Sequence, residues 1–376
     1  MPEYVPGLAG VPAARSAISF IDGEAGVLEY RGFLVEKLAE QSTYEEVTYL
    51  LLYGELPSAT ELKAFSDDLN TARSISTELL TVIRGFPSVA HPMDALQTSM
   101  SALGLDRPNL DYTREGVRID EAIHIIARMP TAVAAFHRCR QGLALIEPDN
   151  SLGHAADFVR MVTGEDPDPL SARVMDAALV VHADHTMNAS TFAARVTAST
   201  GASPYAVVSS AIGSLSGALH GGANEAVLIQ LRKIGSPAKV REFMTDMLAR
   251  KQKIMGLGHR VYRTKDPRAH ILQRLANELF EEKGKSDVYD TAIELEKIAE
   301  ELLSAKGIYP NVDFYSGIVY DKLGIPLDLF TPIFAVSRAA GWMAHWLEQM
   351  TDNRLFRPKQ IYEGLRDRDY VPMDER

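Results

Sequence analysis

A helix-opening signal recurs down this chain of 376 residues and limits the class of fold it can reach. Ser203-Pro204, Ser236-Pro237 and Thr331-Pro332 each put a capping hydroxyl before a proline, and Asp266-Pro267 does the same with a carboxylate. Proline suits the first helical position because its missing N–H would be unpaired there anyway. Ser42 and Thr43 stand three residues before Glu45 and Glu46, a doubled capping box. Val47, Leu50 and Leu51 then continue an apolar face until Gly54 and Pro57 stop it. Alternating strand patterns are scarce; the best, 19–23 with 26–30, predicts one short hairpin near the N-terminus. The chain therefore reads as mainly α and multi-helical. No repeat of solenoid period is visible. The Ala-, Ser- and Gly-rich run 203–219 predicts a tightly packed central helix, and the more charged stretch 220–318 predicts several short helices and a smaller domain. At about 150 residues per domain, the length suits a large domain with a smaller companion.

The formal net charge is −11, so the chain as a whole repels nucleic acid and anionic membrane, and an anion site needs cations gathered locally. No apolar run approaches the ~18 residues of a membrane span, and the first fifteen residues lack the basic and apolar regions of a signal peptide. The single cysteine, Cys139, sits in a helical pattern without an activating glycine turn; it reads as an idle thiol and excludes a disulfide framework or a zinc site of several thiolates. Cytoplasm is the expected compartment.

Five blocks can carry chemistry. In His220-Gly221-Gly222-Ala223-Asn224 the glycines break one helix and another begins near Ala223, so His220 lies at a helix N-terminus. The positive end of the dipole disfavours imidazolium, and a neutral histidine so held can donate to a developing oxyanion. A histidine packed in a helix corner fits the same spacing. In 256–268 the glycines allow close backbone approach to a ligand, and Arg260, Arg263, Lys265 and Arg268 face one acid, Asp266. There is no GxGxxG, so a dinucleotide fold is unsupported. Arg268 falls in the first turn of a helix, where a cation costs ~0.3–1 kcal/mol unless a carboxylate or phosphate binds beside it. Asp313, in Asn311-Val312-Asp313, precedes a short helix and by itself reads as an N-cap. Phe334, Arg338, Gly341, Trp342 and His345 share one helix face, on which Arg338 must pair with an anion or reach water. His182 and His185 are i, i+3 neighbours on a helix after the apolar run 177–181. No third ligand accompanies them, so hydrogen-bonded buried histidines fit better than a metal site. Arg354, Arg357 and Lys359 alone read as a basic loop.

Taken together these motifs resemble the citrate synthase family in its shorter bacterial and archaeal form, from about Gly7 to the C-terminus. The opening motif 19–32, the stretch 45–57 and above all Gly-x-Gly-His with Asp-Pro-Arg at 256–268 carry the likeness. Leu257 departs slightly from the pattern, where an aromatic or smaller residue is commoner. The resemblance implies a large helical domain (1–219, resumed at 319–376 with a C-terminal arm) and a smaller mobile one (220–318). It implies an acyltransferase whose acyl group becomes alkyl on transfer: acetyl-CoA condenses with oxaloacetate, and citryl-CoA is hydrolysed to citrate and CoA. By motif, the catalytic residues fall on His220, His259 and Asp313. The oxaloacetate contacts fall on His185, Arg268, Arg338, Arg357 and Phe334, with Arg357 contributed across a homodimer. The CoA contacts fall on Ile254, Met255, Gly256, Leu257, Gly258 and Arg263. No metal or redox cofactor is implied, larger homo-oligomers are compatible, and the early start of the opening motif implies no NADH-responsive N-terminal domain. Use of propionyl-CoA, as in 2-methylcitrate synthase, and a non-catalytic helical assembly protein are the alternatives; a thioester assay and oxaloacetate-dependent CoA release separate them.

Overall fold

Residues 4–376 are described by the structure, a computed structural model. Among them sixteen α-helices accompany one antiparallel three-stranded sheet, β1 (Ser19–Asp22), β2 (Val27–Tyr30) and β3 (Phe33–Leu34). The hairpin expected near the N-terminus is β1–β2, with Ser19 opposite Tyr30; β3 is an addition the sequence pattern does not announce.

The first half is α1 (Val35–Gln41), α2 (Tyr44–Tyr53), α3 (Ala59–Ala72), α4 (Thr77–Arg84), α5 (Pro92–Leu103), the long α6 (Glu115–Arg140), α7 (His154–Thr163), α8 (Pro169–His182), α9 (Ala189–Ser199) and α10 (Pro204–Leu215). Only one of the two hydroxyls in the doubled capping box opens α2. Thr43 accepts from the Glu46 N–H, while Ser42 closes α1. Gly54, at φ +95°, ends α2 in the left-handed conformation that favours glycine. Ser203 caps α10 as expected, with Pro204 at its first position.

The second half is α11 (Ala223–Ile234), α12 (Val240–Ala249), α13 (Pro267–Lys283), α14 (Asp287–Leu303), α15 (Val312–Lys322) and α16 (Phe330–Thr351). α13 and α14 run 17 residues each, so this stretch is not built of short helices only. Ser236-Pro237 opens a 3-10 turn that leads into α12 and not α12 itself. Thr331-Pro332 lies inside the first turn of α16, which begins at Phe330 without a side-chain cap. A helix started by burial needs no cap: Leu329, Phe330, Ile333 and Val336 are all sealed from solvent.

The central helix is α16, not α10. It packs on α2, α6, α8, α9 and α10, and both tryptophans, Trp342 and Trp346, are fully buried on it. It is apolar or small on nearly every face, as a helix buried all round must be. α16 lies hard against the end of α8: Ser337 Oγ donates to the Leu179 carbonyl, and the Gly341 N–H donates to the Ala183 carbonyl at 3.1 Å. A Cβ at Gly341 would collide with the Ala183 carbonyl and the Asp184 carboxylate. Gly341→Ala should therefore destabilise the protein by about 1–3 kcal/mol, the usual cost of overpacking, read as a lower urea midpoint with unchanged m; an unchanged midpoint would show that α16 and the 183–184 turn can separate freely.

Candidate active site

Histidines stand where α8 ends, where α11 begins and in the loop before α13, and two of them, His185 and His259, approach each other. α8 stops at His182, so His185 is not on the same helix, as the i, i+3 spacing suggested; it follows a turn, is buried, and its ring centroid lies 5.4 Å from that of His259. His182 donates Nδ1–H to the Ala178 carbonyl at 2.7 Å, and its ring meets Phe334 edge-on.

The hydrogen bonds assign each tautomer. His220 Nε2 accepts the Ser190 backbone N–H at 3.1 Å and lies 2.8 Å from Ser190 Oγ. The ring proton of neutral His220 is therefore on Nδ1. His259 is the mirror case: Nδ1 accepts the backbone N–H groups of Val261 at 3.0 Å and Tyr262 at 3.2 Å, leaving Nε2–H free. Burial pushes both down to about 4, with Arg338 adding to the effect at His220 and Arg268 at His259. His220 does sit three residues before the start of α11 at Ala223, but burial, more than the helix dipole, keeps it neutral. His185 is held well below its ordinary value, first by burial and then by Arg268.

Asp313 is not the cap of α15. Asn311 is: its side-chain oxygen accepts the Asp313 N–H at 3.1 Å, which frees the Asp313 carboxylate within the first turn. No described residue donates a hydrogen bond to that carboxylate. Burial pushes Asp313 up to about 6, while Arg268 pulls the other way. Asn311 also binds the preceding loop, donating its amide to the Gly258 carbonyl at 3.0 Å and its backbone N–H to the Gly256 carbonyl at 2.9 Å. Gly256, at φ +81°, packs where a Cβ would meet Val227 and Phe314 at 2.7 and 2.8 Å.

The arginines divide. Arg268 is buried, and the carboxylate that relieves its place in a first turn is the chain's own: Nε and Nη2 reach the two oxygens of Asp266, the α13 cap, at 3.0 and 2.8 Å. Burial opposes that charge and Asp266 outweighs it, so Arg268 stays above its ordinary value. Arg338 is 1 % exposed, donates Nε–H to the His182 carbonyl at 2.7 Å and lies over the Phe334 ring at 4.5 Å. Its Nη2 is buried without a partner, and burial lowers it to about 10. An unpaired buried guanidinium is costly unless an anion joins it. Arg357 is not brought to this cluster. It is exposed in the stretch after α16, next to Phe356, whose N–H donates to Ser199 Oγ.

Beside His259 a cavity of about 360 Å³ is lined by Ile254, Leu257, Gly258, Lys253, Arg260, Leu248, Gln252, Leu303 and Ile308. Met255 turns its backbone to Gln230, and Arg263 is exposed outside this lining. A larger cavity of about 820 Å³ lies elsewhere, bordered by α1, α2, α3, α7 and α8, and holds none of the three histidines. Among the described residues no group of three or more His, Cys, Asp or Glu side chains is arranged to hold a metal ion.

The family model "Citrate synthase, C-terminal domain" matches residues 7–359. A citrate synthase of Synechocystis is 54% identical over 378 residues, which cover 99% of this chain and 94% of that one. The chain belongs to the citrate synthase family. Citrate synthase of Haloferax volcanii is 48% identical, covering 100% of this chain and 99% of that one. Citrate synthase of Pyrobaculum aerophilum superposes with a TM-score of 0.93 at 40% identity, covering 99% of this chain and 95% of that one. The ternary complex of carboxymethyl coenzyme A and oxaloacetate with the Thermoplasma acidophilum enzyme superposes with a TM-score of 0.94 at 34% identity, with both chains covered in full.

Sequence reading missed the residues that aim these groups. Ser190, Tyr262 and Lys253 carried no motif of their own, and Asp266 and Asn311 were visible only as a cap and a neighbour. A carboxyl raised to about 6 beside histidines lowered to about 4 fixes the sign of a pH effect. Folded Asp313 binds its proton more tightly than the unfolded chain does, so its contribution to stability is lost as pH rises from about 4 to about 6. Asp313→Asn should melt higher than wild type at pH 8, by up to about 3 kcal/mol, with the gap narrowing at pH 5; a gap independent of pH would contradict the raised value.

Proposed function

We infer that the chain is a citrate synthase: it condenses acetyl-CoA with oxaloacetate and hydrolyses citryl-CoA to citrate and CoA, an acyl transfer in which the acyl group becomes alkyl. Near-full-length similarity to a citrate synthase at 54% identity carries this reading, and the half-buried set of one unpaired carboxylate with oppositely set neutral histidines accords with it.

The geometry supports the following roles. The hard step is removal of a proton from the thioester methyl. Asp313 is the base: ionised at neutral pH, free of donors, and raised enough to hold the proton once taken. His220 offers Nδ1–H to the thioester oxygen as negative charge gathers there, and because Ser190 holds its other nitrogen the donor needs no reorientation. His259 offers Nε2–H to the oxaloacetate carbonyl as the new carbon–carbon bond forms. A neutral imidazole is the better choice in both places, since imidazolium beside Arg268 and Arg338 would add uncompensated charge. Arg338 Nη2, without a protein partner, takes one oxaloacetate carboxylate, with the Phe334 ring against its guanidinium. Arg268, fixed by Asp266, and His185 bind the same dicarboxylate.

Arg357, exposed in this chain, completes the site of a second copy, so the working unit is at least a homodimer. The 360 Å³ cavity takes part of CoA: Lys253 and Arg260 supply positive charge at its wall, and Ile254, Leu257 and Gly258 line it. Met255 and Gly256 lie outside that lining with their backbone held by Gln230 and Asn311, and serve the cavity by fixing the course of the loop, and Arg263 reaches a phosphate from outside the lining. Residues 220–318 form the small domain that closes over the substrates, between 1–219 and 319–376, excluding the water that would weaken these interactions. No metal or redox cofactor takes part, because the substrates supply both electrophile and acidic methyl. The reaction belongs in the cytoplasm, consistent with one unpaired cysteine.

Four measurements check this. Acetyl-CoA should exceed propionyl-CoA in kcat/KM, with CoA release dependent on oxaloacetate; a preference for propionyl-CoA would move the assignment to 2-methylcitrate synthase. Asp313→Ala should lower kcat by orders of magnitude with oxaloacetate still bound, and kcat/KM in the wild type should fall about tenfold per pH unit below about 6 as Asp313 gains its proton. Arg338→Leu should chiefly weaken oxaloacetate binding; an unaltered dissociation constant removes Arg338 from that role.

A further inference from the structure

Tyr262 lies beneath the histidine cluster, 1 % exposed, with its ring 4.8 Å from that of His259 and 5.7 Å from that of His185. Its hydroxyl is 3.3 Å from His185 Nε2, the one hydrogen-bond partner it has among the described residues. A buried phenol with no other acceptor must donate there. The reverse arrangement, Nε2–H into the phenol oxygen, would strand the phenolic hydrogen. His185 Nδ1 has no described partner and is not sealed from solvent. The same logic sets His220 through the Ser190 N–H and His259 through the N–H groups of Val261 and Tyr262. In each ring one nitrogen is occupied by a donor.

We propose that Tyr262 is a positioning residue: its O–H donates to His185 Nε2, holds His185 in the Nδ1–H tautomer, and so presents Nδ1–H to oxaloacetate. The first part stands on this chain's geometry alone; the last clause rests on the oxaloacetate reading above. Tyr262 acts twice, through its side chain on His185 and through its backbone on His259. Only the first action depends on the hydroxyl, so Tyr262→Phe separates them and keeps the ring that packs on both histidines.

The test is ring-nitrogen NMR of the full-length protein labelled with 15N-histidine, with the His185 signals assigned by their loss in His185→Asn, alongside oxaloacetate titration. Wild type should show His185 protonated at Nδ1. Tyr262→Phe should shift it toward Nε2–H, the form neutral imidazole prefers in water, while His259 stays Nε2–H as an internal control. The same variant should weaken oxaloacetate binding about tenfold, the worth of one hydrogen bond to a charged group, with kcat at saturation little changed. An Nε2–H form of His185 in wild type, or an unmoved Nδ1–H in Tyr262→Phe, overturns the proposal. A tautomer shift with unaltered oxaloacetate affinity upholds the positioning role and instead removes His185 from the oxaloacetate contacts. The wild-type spectrum decides by itself if the variant fails to fold.

Discussion

Asn311 joins the groups that would do the chemistry. Its side-chain oxygen caps α15 through the Asp313 N–H, its amide holds the Gly258 carbonyl beside His259, and its backbone holds the Gly256 carbonyl. One residue thus ties the carboxylate on a helix to the histidine on a loop. Gly256 and Gly258, both at positive φ, let that loop fold tightly enough to be reached. Rigid elements carry the carboxylate, and the loop is disciplined by them, which is how a site keeps tolerances of a fraction of an ångström.

Around this junction the charges are balanced by burial and pairing. Arg268 and Asp266 compensate each other inside one helix turn. Arg338 is deliberately uneven in its bonding: Nε is spent on a carbonyl and Nη2 on nothing. Asp184 attracts Arg338 through space, yet its carboxylate is engaged by Ser19 Oγ and the Thr186 N–H and lies 3.4 Å from His345 Nε2, so it forms no direct pair with the guanidinium. A dicarboxylate bound there would meet a cation that is charged, desolvated and still unpaired. The histidines complete the pattern by staying neutral, so that they would donate protons without repelling the arginines.

The fold class was legible because caps and prolines are local signals: Ser203-Pro204, Asp266-Pro267 and the 19–30 hairpin each stand where their residues require. The signals failed where tertiary burial replaced them, as at Phe330, where α16 begins one residue before Thr331-Pro332 with no cap at all. The site was legible by residue type and much less by cause. His220 looked neutral because of a helix end, but burial beside Arg338 keeps it so. Arg268 looked like a cation awaiting a ligand, but Asp266, two residues away, already grips it. Ser190 and Tyr262 were invisible because orientation by a hydrogen bond across 30 or 77 residues leaves no local spacing to read.

The central claim is that Asp313 removes a proton from the thioester methyl while preset neutral donors stabilise the enol. Hydrogen exchange isolates that step: acetyl-CoA is incubated in deuterium oxide with the enzyme and a non-reactive dicarboxylate that fills the oxaloacetate position, and deuterium in the methyl group is followed. The account predicts exchange by wild type that falls by orders of magnitude in Asp313→Asn. Exchange at the wild-type rate in that variant would contradict it.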